Sequence, residues 1–120
     1  MIRTIVFIIF FFLSSVCFAG NLTFATQNEI NHLFTFIKNS DCQFNRNGTW
    51  HPAKGAADHI EKKYNYFMKK GEITSAEAFI NLSASESSMS GKKYKVKCGS
   101  SPEIASSSWL KTELKKYRTK

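Results

Sequence analysis

The chain is short and has few of the residues that build metal and redox sites. It has 120 residues with only 3 Cys and 3 His. It has no C-x-x-C pair and no short spacing between histidines, so the sequence favours neither a metal centre nor a bound cofactor. A chain of this length holds one domain, which excludes a multidomain enzyme and a multi-span transporter. A hydrophobic content of 42% excludes a chain that is disordered throughout.

The first residues have the pattern of an export signal. Arg3 provides a positive start, residues 4–13 are almost wholly apolar, and Cys17 and Ala19 are small residues at the positions that a signal peptidase reads. We therefore predict a signal peptide over 1–19, a single domain over 20–120 and a periplasmic location. The apolar run is shorter than the roughly 20 residues of a membrane-spanning helix. The alternatives are an uncleaved anchor and a lipoprotein acylated at Cys17.

Two cysteines remain in the predicted mature chain, Cys42 and Cys98. An even pair in an exported protein is typical of a disulfide bond, and we predict one between them. The competing interpretation is a Cys nucleophile with His59 as its base. That mechanism needs a reduced thiol in an oxidising compartment, so the sequence favours the disulfide.

The hydrophobic periodicity predicts an α+β fold. A first helix over about 27–38 begins at a capping box that starts at Thr26, and Asn47-Gly48 predicts the turn of a β-hairpin. Two further helices follow, and residues 92–98 alternate between lysines and apolar side chains as a half-buried edge strand does. A fourth helix ends the chain. The expected architecture is a small sheet, made of the hairpin plus one edge strand, packed with about four helices and stapled by one disulfide.

Four short segments occur in an order that resembles a known family. They are FNRNG at 44–48, ADHI at 57–60, SAEAFI at 75–80 and SSMSGKKYKV at 87–96. The chain resembles the YfeK-like family of small exported bacterial proteins over about residues 30–114. The resemblance implies a Gram-negative, periplasmic setting and a domain of unknown function, and it implies no activity.

Four polar residues within these segments are candidate ligand-binding residues: Arg46, His59, Ser88 and Tyr94. Each has a structural explanation as well, because a histidine beside the apolar stripe of a helix is more often a satisfied structural residue than a ligand. The alternative is a small hydrolase or lyase that uses Arg46, His59 and a serine from the 85–90 loop. A second enzymatic interpretation uses the Ser108-x-x-Lys111 spacing. It lacks the partner motifs, so we predict no catalytic residue.

The net positive charge of the predicted mature chain lies in its last third. Residues 20–91 carry 7 basic and 7 acidic side chains, whereas residues 92–120 carry 9 basic and 2 acidic ones, a net charge of +7. The expected anionic-surface patch consists of Lys93, Lys95, Lys97, Lys111, Lys115 and Arg118. Few aromatic residues lie among these cations, so specific nucleic-acid recognition is not expected. The sequence favours a non-enzymatic binding module whose partner is an anionic envelope component or an envelope protein.

The predicted leader gives a first test. We expect cleavage after Ala19, because small residues at −3 and −1 follow a short apolar region. Intact-mass analysis of the protein recovered from its natural compartment should give the mass of residues 20–120. A mass that still includes residues 1–19 would contradict this prediction.

Overall fold

A computed structural model describes residues 22–120 and confirms the α+β class. Helices and strands mix along the chain, and the sheet forms from segments that are distant in sequence. The described part contains four helices and four strands, in the order α1 Phe24–Lys38, β1 Gln43–Arg46, β2 Thr49–Pro52, α2 Ala53–Lys69, α3 Ala76–Ser83, β3 Lys95–Lys97, β4 Ile104–Ala105 and α4 Ser106–Arg118.

The four strands form one antiparallel sheet in the order β2-β1-β3-β4. The predicted hairpin joins β1 to β2, and both of its turn residues have a positive φ, 54° at Asn47 and 86° at Gly48. The strand expected at the edge, β3, lies instead between β1 and β4. The sequence did not indicate β4 because two residues, Ile104 and Ala105, are too few to show a strand periodicity.

Side chains from all four helices fill one face of the sheet. Val96 and Phe44 point from the sheet into a core with Leu33 of α1, Phe79 of α3 and Leu110 of α4, and all five are at least 96% buried. The residues next to Phe44 in β1 and next to Val96 in β3 point the other way, since successive residues of a strand alternate between the two faces of the sheet. The opposite face of the sheet is therefore open to solvent.

The first helix begins at a residue other than the predicted cap, and the third is capped by a serine. Helix α1 starts three residues early because the hydroxyl of Thr23 accepts a hydrogen bond from the amide of Thr26 at 3.1 Å, so the capping box at Thr26 is wrong. Helix α3 is capped by Ser75, whose hydroxyl accepts from the amide of Ala78 at 3.0 Å. A serine or threonine can cap from several neighbouring positions, and packing decides which one does.

The predicted disulfide is present. Cys42 directly precedes β1 and Cys98 directly follows β3, and their sulfur atoms are 2.03 Å apart. Gln43 pairs with Lys97 in the antiparallel register, so the next position outward places the two cysteines opposite each other. The bond excludes a free Cys42 or Cys98 thiol as a nucleophile.

The predicted leader over 1–19 lies outside the described residues. Within residues 22–120, no helix combines the length and the apolar character that crossing a membrane requires.

The disulfide closes a loop with a sequence separation of 56 residues. By loop entropy it should stabilise the fold by up to about 4 kcal/mol. We expect the double variant Cys42→Ser, Cys98→Ser to have a free energy of unfolding in urea that is lower by up to that amount. Reductant should shift the unfolding midpoint of the wild type and leave the variant unchanged. Equal midpoints for the two proteins without reductant would contradict the prediction.

Candidate functional site

A small cavity lies beneath the hairpin, where the start of α2 and the start of α4 meet the sheet. Three of the four predicted ligand-binding residues, Arg46, His59 and Tyr94, line it together. The structure does not bring the fourth, Ser88, into the cavity, since Ser88 is exposed on the loop after α3. The remaining lining residues include His51 and Ser106, which sequence reasoning did not select.

Strand pairing brings Arg46 and Tyr94 together. The register of β1 with β3 pairs Asn45 with Lys95, and one step further it places Arg46 opposite Tyr94. Residues that face each other across an antiparallel pair share one side of the sheet, and here it is the side that the helices cover. Backbone hydrogen bonds fix Tyr94 on both sides: its amide donates to the carbonyl of Ser85, and its carbonyl accepts from the amide of Ser106, each at 2.9 Å.

A chain of hydrogen bonds runs along one wall of the cavity. The ammonium group of Lys63 lies 3.2 Å from the Tyr94 hydroxyl, which lies 3.2 Å from Nε2 of His59. Lysine can only donate, so the Tyr94 oxygen accepts from Lys63. When the Tyr94 hydroxyl donates to Nε2 of His59, the ring proton sits on Nδ1; in the other tautomer, Nε2–H donates to the Tyr94 oxygen. Among residues 22–120, Nδ1 has no hydrogen-bond partner.

Burial and nearby positive charge keep His59 neutral. Desolvation lowers the pKa of His59 most, the charges of Arg46 and Lys63 lower it further, and the resulting pKa is about 4. Burial also lowers the pKa of Lys63 and raises the pKa of Tyr94. At neutral pH the cavity therefore contains an uncharged imidazole and a protonated phenol beside two cations.

Arg46 has no acidic partner in the described part of the chain. Glu77 is bound to Arg118 at 2.6 Å, and Asp58 forms no ion pair within residues 22–120. No carboxylate lines the cavity. The guanidinium of Arg46 is thus a half-buried cation without an opposite charge among the described residues.

Ser106 brings an unsatisfied hydroxyl to the cavity. The residue is 1% exposed, and its Oγ has no hydrogen-bond partner among the described residues. Ser106 is also the first residue of α4, and no side chain caps that helix. Sequence reasoning passed over it because a serine at the start of a helix is ordinarily a capping residue.

The serines of the 85–90 loop have structural partners. The Ser85 hydroxyl donates to the carbonyl of Ile80 at 2.7 Å. The Ser87 hydroxyl accepts from the side-chain amide of Asn47 at 3.3 Å, and Ser90 donates to the Asn47 carbonyl oxygen at 2.6 Å. These bonds tie the loop to the hairpin turn, and none of them leads to His59.

The structure separates the six cations of the expected patch into two groups. Lys93, Lys95 and Lys97 alternate with the buried Tyr94 and Val96, so they point from the open face of the sheet. Lys111, Lys115 and Arg118 are on α4, which packs on the opposite face of the sheet, the one that the helices cover.

Two members of the patch are neutralised by ion pairs. Lys93 binds Glu86 at 2.8 Å, and Arg118 binds both Glu29 of α1 and Glu77 of α3. The hydrogen bond from Arg118 is the main reason that the pKa of Glu77 falls to about 2. Arg118 is therefore a clamp that joins α1, α3 and α4.

Neither a metal cluster nor a serine-lysine pair is visible in this part of the chain. Residues 22–120 contain no group of three or more His, Cys, Asp or Glu side chains that could hold a metal ion. Ser108 is exposed, and its carbonyl accepts a hydrogen bond from Thr112, whereas no hydrogen bond joins Ser108 to Lys111.

One family model matches the chain over residues 24–118, and it is described as a family of unknown function, DUF5329. The chain belongs to this family. The match covers every helix and strand of the described fold and all lining residues of the cavity. Membership of DUF5329 confirms a domain of unknown function. It does not support the YfeK-like name, and it carries no information about export. No curated protein and no solved structure matches the chain.

The low pKa of His59 predicts an acid-dependent loss of stability in this DUF5329 domain. The unfolded chain binds a proton at His59 near pH 6.5 and the folded protein only near pH 4. This contribution to stability is therefore complete above pH 6.5 and is lost as the pH falls from 6.5 towards 4. We expect His59→Gln, which does not titrate, to lose less stability than the wild type over that interval in urea unfolding.

A second variant separates charge from hydrogen bonding. His59→Ala removes the hydrogen-bond partner of the buried Tyr94 hydroxyl and should lower the free energy of unfolding by about 1 kcal/mol at pH 7.

The pH dependence has its own contradicting outcome. Parallel pH profiles of stability for the wild type and His59→Gln would show that His59 titrates normally in the folded state and would contradict the predicted acid-dependent loss.

Proposed function

We propose that this domain is an exported, periplasmic binding module without enzymatic activity, and that it attaches to anionic components of the cell envelope. The observation that carries the proposal is the charge asymmetry, a net +7 in residues 92–120 against zero in residues 20–91. The signal-peptide pattern and the disulfide support export, because disulfides persist in oxidising compartments. The resemblance to the YfeK-like family supports the same setting.

Four exposed or half-exposed lysines are the residues that we assign to this attachment: Lys95, Lys97, Lys111 and Lys115. None of them forms an ion pair within residues 22–120. They form two sites, one on the open sheet face and one on the flank of α4, so a flat anionic surface can engage one group at a time. Binding through one such group is expected to be weak and sensitive to salt, because the screening length is about 8 Å at physiological ionic strength.

The open sheet face also carries an exposed tryptophan. Trp50 and Lys95 both pair with Asn45, so the three side chains lie on the same face of the sheet. Trp50 is 39% exposed. Tryptophan is favoured at the boundary between water and lipid, where its ring is half solvated and its N–H finds a partner. An aromatic residue beside lysines supports a membrane surface as the partner of this face.

The alternative is a small hydrolase or lyase centred on Arg46 and His59, and the convergence of these residues on one cavity favours it. Two observations weigh against it. The Nε2 atom of His59 is already engaged by the Tyr94 hydroxyl. Ser85, Ser87 and Ser90 are held by other partners and Ser88 is exposed, so no serine of the 85–90 loop lines the cavity with His59.

Co-sedimentation with vesicles tests the binding function. We expect the protein to sediment with phosphatidylglycerol-containing vesicles at low salt, to dissociate as salt is raised, and not to bind neutral phosphatidylcholine vesicles. Changing Lys95, Lys97, Lys111 and Lys115 to Gln should reduce the bound fraction at low salt at least tenfold, because each lysine near an anionic surface contributes about 1 kcal/mol.

A matched variant controls for net charge. Lys38, Lys54, Lys69 and Lys70 are exposed lysines of α1, α2 and the residue after α2, and changing all four to Gln removes the same charge from other surfaces. This control should retain most of the binding. Equal losses in the two quadruple variants would assign the effect to net charge alone, and binding that survives the first variant would contradict the proposal.

A further inference from the structure

We infer that the cavity between Arg46, His59 and Ser106 is a binding site for an oxyanion, the phosphate or carboxylate group of a small ligand. The site differs in place and in chemistry from the lysines of the proposed envelope attachment. Arg46, His59 and Ser106 line the same cavity, and each has a potential donor without a partner among the described residues.

The first donor is the guanidinium of Arg46. Arginine is always charged and presents its N–H groups in a planar fork that matches a carboxylate or a phosphate. A half-buried arginine ordinarily has a carboxylate partner, yet none lines the cavity. Glu86, an acidic residue of the loop after α3, is bound to Lys93 at 2.8 Å. An external anion would supply the missing charge.

The second donor is Nδ1–H of His59. The hydrogen bond from Lys63 to the Tyr94 oxygen leaves the Tyr94 proton free to point to Nε2 of His59, which lies 3.2 Å away, and this is its direction in the proposed site. In that tautomer the neutral imidazole has its proton on Nδ1 and can donate one hydrogen bond from it.

The third donor is the hydroxyl of Ser106, a residue that lines the cavity. A buried hydroxyl without a partner costs on the order of 1–3 kcal/mol, so a persistent one indicates that another molecule completes it. The start of α4 lies at the same place, because Ser106 is its first residue and the helix has no side-chain cap. The positive end of the α4 dipole therefore adds to the field of Arg46.

The size of the cavity limits what can enter. It offers about 20 Å³ of room for water-sized atoms, and a single water needs about 10–15 Å³ by that measure. One or two oxygen atoms of an anion fit in it, and the rest of the ligand must remain outside the cavity. The site therefore suits a terminal phosphate or carboxylate, whether it belongs to a free ion or to the end of a larger molecule.

Amide NMR titration of the full protein tests the inference with inorganic phosphate and with acetate, each at constant ionic strength, and with sodium chloride as the control salt. We expect saturable shifts at the amides around Arg46, His59 and Ser106 with one or both oxyanions at millimolar concentration, and none with chloride. A response to phosphate alone assigns a phosphate group, and a response to acetate alone assigns a carboxylate. Shifts that chloride reproduces, or no saturable shift with either oxyanion, would overturn the inference.

Three variants make the test specific. Arg46→Gln should weaken binding at least tenfold, Arg46→Lys should retain part of it, and the exposed Lys54→Gln should leave it unchanged. Ser106→Ala separates binding from folding: it should keep or raise the melting temperature, because it removes an unsatisfied hydroxyl, and should nevertheless weaken binding several-fold. Undiminished affinity in both folded Arg46 variants would overturn the inference.

The inference and the envelope attachment can fail separately. Changing Lys95, Lys97, Lys111 and Lys115 to Gln should leave phosphate or acetate binding at the cavity unchanged. Loss of the NMR response in that variant would place the anions on the surface lysines and would overturn the cavity assignment, whatever the vesicle experiment shows.

Discussion

The pairing of β1 with β3 is the constraint on which the rest of the structure depends. It joins segments about fifty residues apart, so its loop-closure entropy must be offset by contacts that form only in the complete fold. The Cys42–Cys98 bond fixes one end of the pair, and the packing of Phe44 and Val96 beneath the helices fixes its centre. At the other end, the same register sets Arg46 opposite Tyr94. The candidate site is thus a direct product of this long-range pairing.

Features that depend on neighbouring residues were predictable from the sequence. The Asn47-Gly48 turn follows from two residues that tolerate a positive φ, and the disulfide follows from an even count of cysteines in a chain that is predicted to be exported. Features that depend on partners from distant segments were not. Arg118 looked like one more cation of a basic flank, and only the packing of α1 and α3 against α4 brings Glu29 and Glu77 to it. Strand β4, which has only two residues, is likewise recognisable only from its pairing with β3.

The candidate site shows the same division. Short motifs identified Arg46, His59 and Tyr94, which lie on three different elements, and the fold brings them to one cavity. Ser88 has no such role, because Asn47 binds its neighbours Ser87 and Ser90 and leaves Ser88 outside. Lys63 and Ser106 could not be selected from the sequence, because their roles depend on contacts with Tyr94. Lys63 contacts its side chain, and the amide of Ser106 contacts its backbone carbonyl. Polarity is readable in a sequence, whereas an unpartnered donor is visible only in a fold.

The geometry also explains how one small domain can hold two kinds of positive site without conflict. Tyr94 directly precedes β3 and Lys95 is its first residue, so their side chains point to opposite faces of the sheet. Tyr94 faces the cavity, while Lys95 faces solvent on the open side. Ion pairs withdraw Lys93 and Arg118 from either role. Burial keeps His59 uncharged, so the cavity gathers donors with little added charge repulsion. The sheet thus separates the cavity that we propose for one oxyanion from Lys95 and Lys97, which we propose to face an extended anionic surface.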